Sequence, residues 1–216
     1  AVNPVLREGN SDRRAPKAVK AYARKHPHRM GKWDAASASH VAHMEDGDFY
    51  GSEQSYTMIN AGSVRIEYTS VTGSSFPLRG PVPLQAGEMI DAAVMSASAL
   101  ASFIDAQIED AQARGVLFSL HLKATMMKVS DPIMFGVVVS VFYKAALGKH
   151  AQALAAVGFS PDNGIGDLYA RIGTLPQATQ DAISADITAL YAQRPALAMV
   201  NSDKGITNLH VPSDVI

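Results

Sequence analysis

The sequence predicts an α/β protein: a layered sheet with flanking helices, joined to an antiparallel β-hairpin region. Two observations predict it. Apolar residues at helical spacing alternate with short strand-type runs through the second half of the chain. From His40 to Leu84 the pattern changes to near alternation of β-branched and aromatic residues, punctuated by glycine. Of the 216 residues 47% are hydrophobic, so a core can form without staples.

Taken in order, "NPVLREGNSDRRAP" is rich in Pro, Gly, Asn and Ser and reads as loop. Pro16 suits a first helical turn, so a helix runs from about Pro16 to Lys25, and Pro27 stops it. "SYTMIN", "SVRIEYT" and "FPLRGPVPL" read as antiparallel strands split by Ala61-Gly62 and Thr72-Gly73, the first pair forming a hairpin. Gly87 and Glu88 then lead into a long helix from about Asp91 to Arg114, with Val94, Leu100, Phe103, Ile104 and Ile108 at helical spacing and Gly115 as its stop.

"GVLFSLHL" is a short apolar run of strand type, and "KATMMKVSDP" connects it to a helix from Pro132 to Leu147 that Gly148 breaks. Further helices are predicted at His150–Val157, Gly166–Ile172 and Gln177–Gln193, and "ALAMVNSDKGITNLHVPSDVI" mixes a strand with loops. No internal repeat or low-complexity segment appears. The Pro132–Leu147 stretch, interrupted by Ser140 and Lys144, is too short and too polar to span a membrane.

Formal net charge is −1, so nothing global points to nucleic acid or an anionic membrane. Absence of cysteine excludes disulfides, thiolate metal sites and a cysteine nucleophile, and fits a cytoplasmic location. There is no initiator Met and no secretory leader pattern; the chain opens at Ala1 inside a polar motif and stops at Ile216. Both ends read as cut from something longer, with trimming of a loose tail as the alternative.

Charge is concentrated at the start. Arg7, Arg13, Arg14, Lys17, Lys20, Arg24, Lys25, Arg29 and Lys32 face only Glu8 and Asp12 within the first 32 residues. Asn3, Arg7 and Arg13 lie in one loop, and arginine forks hold carboxylate or phosphate in a bidentate way. The other reading is an arginine network tied to Glu8 and Asp12, or a solvated face. Lys123 follows a strand-type run, and strand ends are where α/β proteins place ligand-binding groups. A lysine there can donate or accept a proton, or simply reach solvent. Lys128 is a weaker rival, and His121 reads as a buried, hydrogen-bonded neighbour.

Other chemistries find little support. His40 and His43, followed by Glu45 and Asp46, lack the H-E-x-x-H spacing of zinc hydrolases, and His26 and His28 flank a proline. No G-x-S-x-G elbow, P-loop or G-x-G-x-x-G occurs. "NGIGD" at 163–167 is a glycine turn before a helix, able to hold an anion there or to be only a turn. A basic module for phosphate backbone lacks the interleaved aromatic residues that stacking requires. A truncated remnant that binds nothing conflicts with the intact motifs.

"NPVLREGNSDRRAP", "KHPHRMGKW", "HVAHMEDGDFY", "GVLFSLHLKATMMKVSDPIMFG" and "SDKGITNLHVPSDVI" resemble, in order and over the whole chain, monomeric-type NADP-dependent isocitrate dehydrogenase. That family's protein is longer and has two domains, one inserted in the other, with the active site in the cleft. The resemblance implies that residues 1–14 are a crossing segment and substrate-binding loop, and that 15–216 are part of the inserted α/β domain. It implies that Asn3, Arg7 and Arg13 bind isocitrate and that Lys123 is the active-site lysine. The cofactors implied are NADP and Mg²⁺ or Mn²⁺. The metal-binding aspartates, the catalytic tyrosine and most NADP-binding residues are expected beyond Ile216, and a further substrate-binding serine just before Ala1. The implied activity is oxidative decarboxylation of isocitrate to 2-oxoglutarate by a cytoplasmic, monomeric complete enzyme, with this stretch inactive alone.

Overall fold

The computed structural model describes residues 17–27, 34–120 and 130–197. They form a mixed α/β fold with two small antiparallel sheets and a helical core. Helix α1 spans Lys17–Lys25, close to the predicted range, and buries none of its residues. A single turn, α2 (Phe49–Ser52), begins where the Asp48 side chain accepts a hydrogen bond from the Gly51 amide at 2.9 Å.

Four strands follow, β1 (Gln54–Thr57), β2 (Gly62–Thr69), β3 (Ser75–Leu84) and β4 (Met89–Ala92). Here the pairing differs from the sequence reading. The hairpin is β2–β3, turning at Ser70–Ser74, while β1 pairs antiparallel with β4. The expected hairpin between the first two strand segments is therefore corrected: β1 is closed by the far end of the excursion, and β2–β3 is nested inside. Strand β4 also corrects the helix onset, because Asp91 and Ala92 are extended, opposite Ser55 and Gln54. At the base of the arm the Ser52 hydroxyl donates to the Val94 carbonyl at 2.7 Å or accepts from the Val94 amide at 2.8 Å, so entry and exit lie side by side.

Helix α3 (Ala97–Arg114) starts at Ser96, whose Oγ accepts from the Ala99 amide. It ends at Gly115 in the left-handed conformation, with the Val116 amide bonded back to the Ala111 carbonyl, which satisfies orphan carbonyls of the last turn. Leu100, Ile104, Ile108 and Ala111 form its buried stripe. The predicted helix from Pro132 to Leu147 is two, α4 (Ser130–Phe142) and α5 (Lys144–Lys149), with the break at Tyr143. Gly148 does not end it; it lies inside α5, and the break comes at His150 before α6 (Ala151–Ala156). A 3₁₀ turn (Pro161–Asn163), α7 (Ile165–Ile172) and α8 (Gln177–Tyr191) complete the described chain.

The core is helix on helix. Ile108, Phe142, Leu168, Ile183 and Ile187 are the largest fully buried side chains, and each aliphatic one contributes roughly 1.5–3 kcal/mol by leaving water. The predicted layered sheet with flanking helices is not formed among the described residues. Among the described residues the strand-type runs of the second half meet in a parallel bridge, Phe118 with Leu197, where the Phe118 amide donates to the Ala196 carbonyl at 2.8 Å. Among the described residues no helix is long and apolar enough to cross a membrane.

Candidate functional site

Asn3, Arg7 and Arg13 lie outside the described residues, as do His28, His121, Lys123 and Lys128. What is described is the frame on both sides of Lys123. Upstream, Val116–Leu120 leaves the end of α3 and makes the parallel bridge to Leu197. Downstream, α4 begins at Ser130. A cavity of about 340 Å³ opens beside the upstream segment, walled by His40, Phe103, Gln107, Asp110, Phe118 and Leu120 among others. Its lining is mainly apolar with a few polar groups, the general make-up of a small-molecule pocket.

The described histidines do not assemble a metal site. His40 Nδ1 is 3.0 Å from the Ala38 carbonyl and its Nε2 is 3.5 Å from Asp110, whose other oxygen accepts from Arg114 Nε at 2.7 Å. His43 Nδ1 turns instead to the Met44 carbonyl at 3.2 Å, and His26 stacks on Tyr22 with ring centroids 4.3 Å apart. Among the described residues no group of three or more His, Asp or Glu gathers as a metal ion would need.

The "NGIGD" turn is structural. Gly164 has φ of 80°, and the Phe135 ring occupies the space a Cβ would take. Asp167 fills the first turn of α7 with a carboxylate of its own, bonded to Arg171 Nε at 2.6 Å, and that bond holds the Asp167 carboxyl below its ordinary range. An incoming anion would meet that negative charge.

One residue was missed. Asp131, in the first turn of α4, is 4% exposed, and its Oδ2 has no hydrogen-bond partner among the described residues. The "SDP" run marks a helix start, which is all that sequence could say; α4 itself packs against α3 and the 3₁₀ turn.

The described residues define a mixed α/β unit with a helical core, carrying a small-molecule-sized cavity beside a parallel strand contact. The chain belongs to the monomeric isocitrate dehydrogenase family, whose model matches residues 1–216. It is 68% identical over its whole length to an NADP isocitrate dehydrogenase of Azotobacter vinelandii. It is 60% identical to NADP isocitrate dehydrogenase 2 of Colwellia maris and 54% to the protein of that name in Mycobacterium tuberculosis, again over all 216 residues. The chain spans 29% of the length of each of these relatives.

Proposed function

We propose that this chain is the isocitrate-clamping part of an NADP-dependent isocitrate dehydrogenase, which converts isocitrate to 2-oxoglutarate and CO₂ with reduction of NADP. The observation that carries the reading is the family match over all 216 residues, together with 68% identity to a relative that bears this activity in its name. Residues 1–14 are the crossing segment and substrate loop, and residues 15–216 belong to the inserted domain of a two-domain, monomeric, cytoplasmic enzyme.

The chemistry assigned to this chain is binding and proton movement. Isocitrate is a tricarboxylate, so Arg7 and Arg13 each match a carboxylate with a planar pair of donors, and Asn3 adds a neutral hydrogen bond that orients the substrate. Lys123 holds its ammonium against the substrate and moves the proton that must reach the carbon losing its carboxylate. Preorganised positive charge there also stabilises an enolate as it develops. The Mg²⁺ or Mn²⁺ ligands and the main NADP contacts are assigned beyond Ile216.

The test is an assay of the complete polypeptide with D-isocitrate, Mn²⁺ and NADP, following NADPH absorbance. Steady isocitrate-dependent NADPH formation supports the reading. A folded protein that gives no signal with NADP or NAD sinks it.

A further inference from the structure

The cavity of about 340 Å³ lies among three described walls: residues 39–42, one stripe of α3 and residues 116–120. The proposed mechanism does not use it. On α3 the stripe is Phe103, Ile104, Gln107, Asp110 and Ala111, at the spacing that puts side chains on one helix face. Ile104 and Ala111 are buried, and with Phe103 and Phe118 they give the cavity its apolar surface. The volume falls at the small end of ligand pockets, which combine apolar walls with a few polar groups.

Those polar groups set the chemistry. Asp110 is already engaged, by Arg114 Nε at 2.7 Å and by His40 Nε2 at 3.5 Å, and His40 Nδ1 meets the Ala38 carbonyl at 3.0 Å. The carboxylate therefore has its counter-charge, and the apolar walls penalise a bound ion of either sign. Gln107 is different. Its half-buried side-chain amide makes no hydrogen bond among the described residues. An amide presents an acceptor oxygen and N–H donors in one plane, so its match is a second edge with a donor beside an acceptor. A ligand that displaces water there without such an edge leaves the amide unpaired, which costs affinity.

We infer that this cavity is a binding site for a small neutral ring compound carrying an amide-type edge, its ring on the apolar walls and its edge on Gln107. Ring carboxamides and nucleobases share this chemistry. The inference does not depend on the isocitrate reading, because none of these residues is assigned a part in it.

The experiment uses the complete polypeptide with D-isocitrate and NADP present and divalent metal chelated, so that neither compound's own site is open to the probes. The readout is the methyl NMR signal of Ile104, assigned through Ile104→Val. Benzamide and adenine are the two amide-edged probes, and the tighter of them tells the carboxamide source from the nucleobase source. At least one shifts the Ile104 signal saturably at millimolar concentration. Benzoate, which keeps benzamide's shape but adds a charge, and toluene, which keeps the ring without the edge, each bind about tenfold more weakly or worse. Gln107→Leu brings the amide-edged probe down to the level of toluene and does not weaken toluene itself. No saturable shift with either amide-edged probe overturns the inference, as does an equal titration by benzoate or full affinity in Gln107→Leu. Should that variant fail to fold, the probe series on the unsubstituted protein decides alone. A complete polypeptide without isocitrate-dependent NADPH formation would sink the proposed function and still leave this titration readable.

Discussion

The carboxylate of Asp162 lies against Gly136, where any Cβ on α4 would have to stand. Two segments far apart in sequence, the second turn of α4 and the 3₁₀ turn before α7, approach this closely because residue 136 has no side chain. Gly136→Ala should therefore destabilise the fold by about 1–3 kcal/mol through overpacking, read by urea or thermal unfolding. Shortening the opposing side chain in Gly136→Ala/Asp162→Ala should recover part of that loss.

Tyr143 and Tyr191 join hydroxyls at 2.8 Å, and burial together with this bond pushes the Tyr143 phenol well above its ordinary range. The two partners are unequal, since Tyr143 is 4% exposed and Tyr191 is 41% exposed. Tyr191→Phe strands a buried hydroxyl and should cost about 1–3 kcal/mol. Tyr143→Phe leaves a hydroxyl that water can reach and should cost less. Equal losses in denaturant melts would contradict this asymmetry.

Asp186 on α8 ties down the α5–α6 corner. Its oxygens meet Lys149 Nζ at 2.8 Å and His150 Nε2 at 2.5 Å, and these contacts, Lys149 first, hold its carboxyl below the ordinary value of 3.8. The folded form thus keeps the proton off longer than the unfolded chain does. The stability this contributes is present above 3.8 and is lost as pH falls from there through the folded value. Asp186→Asn should lower the Tm at pH 7 and by progressively less as the pH drops toward 3. The same deficit at both pH values would disconnect the ion group from stability.

Two substitutions address the proposed site in the complete enzyme. Lys123→Met should cut kcat by about 10²-fold or more, as expected for a lost proton-transfer group, with the circular dichroism spectrum unchanged. Arg7→Ala should mainly raise the isocitrate KM, by about tenfold or more, because one charge-assisted carboxylate contact disappears. Unchanged turnover in the first, or an unchanged KM in the second, would move that residue out of the proposed machinery.

The elements most legible in the sequence are those with local signals. Helix α3 announces itself through Leu100, Ile104 and Ile108, and its stop through Gly115; α1, α7 and α8 fall within one or two residues of their predicted ranges. Legibility fails where the structure depends on distant partners. Strand β4, Met89–Ala92, has only four residues and acquires its conformation from β1, more than thirty residues earlier, so it merged in the reading with the helix that follows. Tyr143 interrupts α4–α5 without a glycine or proline to mark it. For the site, Asn3, Arg7, Arg13 and Lys123 were selected by side-chain chemistry and family resemblance, and they fall outside the described residues. Asp131 had no signal at all, since burial of one carboxylate is a property of packing.

The paired bonds between Ser52 and Val94 also bear on how such a chain can change over generations. The whole β arm departs and returns through one gap, so the helices sense only the separation of its two feet. Insertions or deletions at the Ser70–Ser74 tip would leave that separation untouched. The arm can therefore vary in length among descendants while the helical body is inherited intact, which makes it the part of this chain best suited to trial without loss of the rest.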